Sequence, residues 1–366
     1  MPERSKIGGR QATFLMTTMI FATVILFVPG ITAKHAGQDA WISIILATGT
    51  GLLVARLITT LGLRFPDRTI FQFPGEILGR WPGKLIGLLY IWWFLHMTAE
   101  VIREYGSFLV TAFMPDTPLI VFHLVVMSIA AYAVRNGLEV LARSAEIFLP
   151  LILGSIIILS LLAAKDADFQ RLLPVFDSGA VQIAKGAMIP LSWFGEIATI
   201  AVLLPYLNKP REAHRVAAMA VLISGLFFLV QVVGILAIFG PALTEAWMFP
   251  GLNRSRLISI ANFLERLEAL SMVVWVTGGF VKVAVFYWAA VLGTAQVLEL
   301  KDYRPLVLPV GAVLVAMSIF LHRNILELLD FLARVWPPYA LSTFEVGIPL
   351  LLLVTALVRG KGRSLP

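Results

Sequence analysis

The feature that most limits the fold of this chain is a succession of apolar runs, each about as long as a membrane is thick. A helix that crosses the hydrocarbon core needs roughly 20 apolar residues. The chain is 59% hydrophobic and 14% charged, whereas a soluble domain is about 25% charged. We therefore expect an all-α integral membrane protein. The predicted spans lie near residues 12–32, 41–63, 84–112, 118–134, 145–164, 184–207, 217–239, 269–298, 305–321 and 339–358.

The basic residues predict an orientation for these spans. The net charge is +7, but the lysines and arginines are spread over the loops and form no dense patch, so we expect no nucleic-acid partner. If the N-terminus is cytoplasmic, 17 loop lysines and arginines lie inside and 8 outside, as the positive-inside rule requires. Both termini are therefore predicted to be cytoplasmic, with membrane lipid around the spans.

The spacing of the spans predicts an internal repeat. The first span is centred near residue 22 and the sixth near 195, and the second and seventh repeat the same offset of about 175 residues. Two groups of five spans must cross the membrane in opposite senses, because five is odd. We predict a single transmembrane domain over 1–366, with one repeat in 1–165 and the other in 166–366.

The first and sixth spans are weakened at matching places, and such a pair indicates a small-molecule site at the bilayer midplane. Phe21, Ala22 and Thr23 precede Pro29-Gly30 in the first span, and a run ending in Glu196 precedes Pro205 in the sixth. We expect both helices to be unwound mid-membrane. The predicted ligand-binding residues are Phe21, Ala22, Thr23, Thr98, Ser192, Trp193, Phe194, Gly195, Glu196 and Trp275.

Several stretches together resemble the spore germination permease family, the B subunit of germinant receptors within the amino acid-polyamine-organocation superfamily. They are Gln38–Trp41, Asp116–Pro118, Asn136–Arg143, Leu173–Phe176, Phe194–Glu196, Phe263–Glu268 and Trp275–Lys282. The resemblance implies ten helices in two inverted five-helix repeats, an inner spore membrane location, an amino acid or similar small germinant, and partner A and C subunits. Phe21 and Ala22 stand where the superfamily has smaller residues, which favours a small ligand.

Four charged residues inside predicted spans have a coupling role or a structural one. Lys282 lies at a depth comparable to Glu196. The resemblance implies that its ammonium replaces the sodium ion of related transporters. The alternative is a structural pair with Glu196 or with a carboxylate of the third helix. Glu100, Arg103 and Glu104 share one helix face, which predicts an internally neutralised network or a gate near the outer vestibule.

No enzymatic motif is present. The chain has no phosphate-binding glycine loop, no H-E-x-x-H and no G-x-S-x-G, and with no cysteine it has no thiol nucleophile. The five histidines show no metal-ligand spacing, so we expect no metal and no cofactor. The leading hypothesis is a germinant-sensing receptor subunit. The alternatives are a secondary amino acid transporter that works by alternating access, and a scaffold or ion-release component that binds no ligand.

Overall fold

The computed structural model describes residue 3, residues 5–258 and residues 267–362. Phe263 to Arg266 of one resembling stretch, and the basic residues Arg4 and Arg363, lie outside these described residues. The α-helices are α1 (Gly9–Ala36), α2 (Ala40–Arg64), α3 (Phe73–Leu78), α4 (Arg80–Ala112), α5 (Leu119–Arg135), α6 (Leu138–Ala163), α7 (Ala180–Phe194), α8 (Ile200–Leu203), α9 (Ala213–Ala246), α10 (Pro250–Leu257), α11 (Glu268–Val297), α12 (Arg304–Phe320), α13 (Ile325–Asp330), α14 (Trp336–Tyr339) and α15 (Gly347–Val358).

The described helices are long and apolar enough for a membrane protein. Seven helical stretches qualify as membrane spans, and the first of them, Gly9–Arg64, joins α1 to α2 through the single 3-10 turn Gly37–Asp39. Two further apolar helices, α5 and α12, are each 17 residues long. Every predicted span coincides with one or more of these helices. The protein is therefore an all-α integral membrane protein.

Helix α1 lies at the centre of the bundle. It packs against α6, α7, α9 and α11, and nearly all of its residues from Leu15 to Gly30 are buried. A helix that is apolar on all sides is expected to be surrounded by other helices in this way. Its threonines fit this setting because hydroxyls such as Thr17 Oγ1 and Thr18 Oγ1 donate to carbonyls one turn earlier, at 2.8 Å.

The expected unwinding of the first helix is wrong, because α1 is continuous from Gly9 to Ala36. Phe21, Ala22 and Thr23 all lie within the helix and are buried. Pro29 removes only one backbone donor, and a packed membrane helix tolerates that loss. Gly30 is equally retained within the helix. This part of α1 therefore presents side chains, and no unwound backbone, to the helices around it.

The sixth segment does change its helical form at the predicted place. Helix α7 ends at Phe194 and continues as the 3-10 turn Gly195–Thr199, then α8, then a second 3-10 turn over Leu204–Tyr206. The chain is thus wound more tightly here and is not opened. A 3-10 stretch inside a helix often marks a functional hinge. Its poorer hydrogen-bond geometry makes this segment easier to rearrange than α7.

The last helical segment is also irregular, which the sequence does not predict. Between α13 and α15 the chain passes through a π-helical turn at Phe331–Val335, the short α14, and a second π-helical turn at Ala340–Glu345. Single π-turns inside helices occur frequently at functional sites. The second of them packs against the 3-10 turn that begins at Gly195.

Candidate functional site

A buried ion pair occupies the middle of the bundle. Lys282 Nζ of α11 lies 2.8 Å from Glu196 Oε1 of the sixth segment, and each side chain is only 1% exposed. The two charges that the sequence places at similar depth are therefore direct partners. Such a pair is stable away from water only when further hydrogen bonds support it.

Thr23 of α1 supplies that support. Its Oγ1 accepts hydrogen bonds from Lys282 Nζ at 2.7 Å and from Trp193 Nε1 at 2.8 Å. One hydroxyl thus joins α1, the sixth segment and α11. We call Thr23, Trp193, Glu196 and Lys282 the Thr23 cluster.

Two more carboxyl groups face the Thr23 cluster. Glu104 of α4 and Glu345 of the second π-helical turn are buried, and the charge of Lys282 acts on both. Glu345 adjoins Gly195, where any side chain would collide with its carboxylate. Among the described residues, both Glu345 oxygens, Glu104 Oε2 and Glu196 Oε2 have no hydrogen-bond partner. The site thus holds acceptor capacity that the surrounding protein leaves unused.

Glu345 was missed in the sequence reasoning, although a signal exists. It is the only charged residue between Arg334 and Arg359, and a charge in such an apolar run is costly unless it faces the bundle interior. The run itself was predicted as a plain membrane span. Nothing in the local pattern shows that its carboxylate points toward Gly195.

Two aromatic layers enclose the Thr23 cluster along the bundle axis. Trp275 contacts Phe27 and Phe108, which pack against Phe249, and we call these four the Trp275 layer. The Trp93 layer comprises Trp93, Phe94, Phe286 and Phe344. Lys282 lies between Trp275 and Phe286 on α11, with its Nζ 5.7 Å from the Phe286 ring centroid. The two layers screen the charges from either side.

Two other predicted ligand residues use their hydroxyl groups within their own helices. Thr98 Oγ1 donates to Phe94 O at 2.6 Å, and Ser192 Oγ donates to Ile189 O at 2.8 Å. Phe194 packs against α2 at Gly51. None of these three contacts is made with a residue of the Thr23 cluster.

The remaining predicted residues of α1 are buried but lack polar groups to offer. Ala22 fits against Gly278 of α11, where an added Cβ would lie 3.0 Å from the Ala22 Cβ. Phe21 is 1% exposed. The small residues at positions 22 and 278 allow α1 and α11 to approach closely, and this brings Thr23 within reach of Lys282.

The three charges of α4 make their direct contacts with different partners. Glu100 binds His96 Nε2 at 3.2 Å and His322 Nε2 at 2.8 Å, whereas Arg103 Nη1 donates to Ile319 O at 3.3 Å. Glu104, one turn further along, faces the Thr23 cluster. Four residues span roughly 6 Å of helix, so each charge meets different neighbours. The described residues contain no group of three or more side chains able to hold a metal ion.

Solved structures with the same fold include membrane transporters. The chain aligns with MhsT in complex with L-phenylalanine at a TM-score of 0.65 and 12% identity, covering 97% of this chain and 99% of that one. It aligns with Mhp1, a nucleobase-cation-symport-1 family transporter with bromovinylhydantoin bound, at a TM-score of 0.68 and 14% identity, covering 99% and 80%. At such low identity the similarity establishes the fold alone.

Sequence relatives are more specific. The chain is 29% identical to spore germination protein KB of Bacillus subtilis, over 99% of this chain and 97% of the relative. It is 26% identical to spore germination protein YndE of the same organism, over 98% and 99%. Spore germination protein GerQB of Bacillus cereus is 24% identical over 90% and 91%. The spore germination protein family model matches residues 6–325, and the chain therefore belongs to this family.

Proposed function

We propose that this protein is the germinant-sensing, permease-like subunit of a spore germination receptor and that it binds a small ligand such as an amino acid at the bilayer midplane. Family membership supports the sensing role. The observation that carries the binding site is the set of unpartnered carboxylate oxygens around Lys282. The role is binding without catalysis.

The chemistry of the site favours a ligand that carries an ammonium group. Glu104, Glu196 and Glu345 offer oxygens that have no donor among the described residues, and one lysine can balance the charge of only one carboxylate. An incoming ammonium would donate to these oxygens in a setting of low dielectric constant, where charge-assisted hydrogen bonds are strong. The aromatic layers limit the space along the bundle axis and favour a small ligand.

The architecture that we propose consists of ten membrane helices in two inverted five-helix repeats, with both termini cytoplasmic and the protein in the inner spore membrane. The helical segments in 1–165 and 166–366 would form the two repeats. Receptor A and C subunits are the proposed partners. A ligand that binds two bundle states with different affinity shifts their populations, and the 3-10 turn at Gly195 is the proposed moving element that transmits this change.

A direct binding experiment tests the proposal. The purified protein is screened by thermal unfolding against amino acids, nucleosides and sugars, since a ligand of the folded state raises the unfolding midpoint. For the compound that binds, Glu345→Gln and Trp193→Ala should each weaken binding by about 10-fold or more, because the first removes a carboxyl oxygen that would accept from the ligand and the second removes a buried indole donor. Asp116→Asn, at an exposed turn, is the control. Unchanged affinity in both variants would show that neither the Thr23 cluster nor Glu345 belongs to the binding site.

The alternative function is secondary transport of an amino acid or related solute. The similarity to solved transporters over nearly the whole chain favours it. Uptake into proteoliposomes separates the two functions. Gradient-driven accumulation by this protein alone would show a transporter, whereas binding without accumulation would show a sensor.

A further inference from the structure

Arg254 on α10 is a cation buried outside the Thr23 cluster. Its side chain is among the largest fully buried ones, with 2% exposure. The guanidinium lines a small cavity of about 30 Å³ together with Gln231, Gly251, Ser271 and Trp275. A space of this size holds one or two water-sized species.

The guanidinium is incompletely satisfied. Its Nη2 donates to Gln231 Oε1, but its Nη1 has no hydrogen-bond partner among the described residues. No ion pair to Arg254 occurs within that part of the chain, and burial lowers the pKa of its guanidinium from the ordinary value to about 10. The group therefore stays protonated at neutral pH. A buried cation with no counter-charge among the described residues is in an unfavourable environment unless an anion joins it.

Two further polar groups of the cavity lining are donors. Trp275 Nε1 is buried without a partner in the described residues. The amide nitrogen of Gln231 belongs to the same lining, whereas the Ser271 hydroxyl donates to Ser255 Oγ at 3.0 Å. None of the 12 lining residues is acidic. A cavity that presents donors and one fixed positive charge is complementary to an anion.

Two glycines leave the space open. A Cβ added at Gly234 would lie 2.6 Å from Arg254 Nη1, and one added at Gly251 would lie 3.4 Å from Gln231 Nε2. Side chains at these positions would press on the guanidinium or reduce the cavity. The room beside the unpartnered Nη1 thus depends on Gly234, and the room beside Gln231 Nε2 depends on Gly251.

We propose that this cavity binds one compact monovalent anion, either chloride or the carboxylate of a small organic acid. The single fixed charge matches one negative charge, and the small volume excludes larger anions such as gluconate. The site is separate from the Thr23 cluster, because Trp275 and Lys282 lie seven residues apart on α11, roughly 10 Å along the helix. The inference does not depend on the proposed germinant site.

Thermal unfolding at constant ionic strength tests the proposal. The purified full-length protein is titrated from potassium gluconate into potassium chloride, and in parallel into potassium formate. An anion that binds only the folded state should raise the unfolding midpoint by about 2 °C or more at saturation. A response to chloride but not to formate identifies chloride as the ligand, and a response to formate but not to chloride identifies a carboxylate. A midpoint that is flat in both titrations overturns the proposal.

Three variants locate the effect. Arg254→Met removes the charge at similar volume and should abolish the anion-dependent shift, whereas Arg256→Gln, an exposed arginine on the same helix, should retain it. Gly251→Ala keeps the charge but narrows the cavity, and should raise the half-maximal anion concentration at least 10-fold. Gly251→Ala also tests the assignment if Arg254→Met does not fold. A wild-type response in Arg254→Met, or an unchanged half-maximal concentration in Gly251→Ala, overturns the assignment.

Discussion

At the residue scale, Lys282 is the cation that balances the centre of the bundle. It contacts Glu196 and Thr23 directly, and its charge also acts on Glu104 and Glu345. Removing Lys282 leaves three buried carboxyls without a cation. Removing the charge of Glu196 leaves Lys282 with two other acids nearby. The two halves of the ion pair are therefore not equivalent.

We expect Lys282→Met to lower the free energy of unfolding by about 3–5 kcal/mol, the usual result of breaking a buried pair, and Glu196→Gln to lower it by less. Denaturant unfolding of both variants in the same detergent gives the comparison. The double variant should cost less than the sum of the two single changes, because neither charge is then left unpaired. Equal losses in the two single variants would contradict this asymmetry.

Glu3 makes a second residue-scale contribution, at the start of α6. It accepts hydrogen bonds from Ser5 N at 2.8 Å, Leu138 N at 3.2 Å and Tyr303 Oη at 3.1 Å. Burial raises the pKa of the Glu3 carboxyl and is the largest single effect, but the hydrogen bonds from Ser5, Leu138 and Tyr303 together lower it more, and the net pKa is below the ordinary value. The ionised form is therefore the stabilising one.

The sign of the pH dependence follows from that direction. A carboxyl whose pKa falls on folding stabilises the protein above its unfolded pKa, and the contribution is lost as pH falls through the folded pKa. We expect Glu3→Gln to cost about 1–3 kcal/mol at pH 7 and much less at pH 3. Unfolding midpoints of wild type and variant at the two pH values measure this. Asp116→Asn is the surface control, and a deficit independent of pH would argue against the ionised carboxylate.

At the element scale, the contact between the 3-10 turn at Gly195 and the π-helical turn at Ala340–Glu345 is the tightest junction of the site. A Cβ at position 195 would overlap the Glu345 carboxylate and approach the Glu345 Cβ to 3.2 Å. We expect Gly195→Ala to force these turns apart and to weaken ligand binding at least 10-fold. Gly154→Ala, on α6 with open space around the added Cβ, is the matched control. Binding titrations of the two variants test this expectation. Equal ligand affinities would show that the close contact at Gly195 is not needed for binding.

Some features of the helices can be predicted from the local sequence and others cannot. Hydropathy locates the spans because burial in lipid requires continuous apolar runs, and Ser192 with Gly195 marks the change of helix type in the sixth segment. The continuity of α1 cannot be predicted from the sequence, because Phe21, Ala22 and Thr23 are compatible with a helix or with a break. Packing against the surrounding helices determines which of the two forms. The partner of Glu100, His322, lies 222 residues away. Such pairings depend on tertiary packing.

At the scale of the whole molecule, a short backbone contact connects the start of the chain to the end of the sixth segment. Ile7 N donates to Tyr206 O, and Asn208 N donates to Ile7 O, each at 2.9 Å. Residues 6 and 208 must therefore lie on the same side of the membrane. In the proposed inverted repeat, five spans separate residue 6 from residue 170, which places Gln170 on the opposite side.

The absence of cysteine from the sequence makes this topology directly measurable, since a single introduced thiol has no background. Lys6, Asn208 and Gln170 are exposed positions suited to substitution by cysteine. In intact cells, a membrane-impermeant maleimide should label Gln170→Cys, and should label Lys6→Cys and Asn208→Cys only after permeabilisation. Labelling of residues 6 and 170 from the same side would contradict the inverted repeat, because an odd number of spans cannot return the chain to the side on which it began.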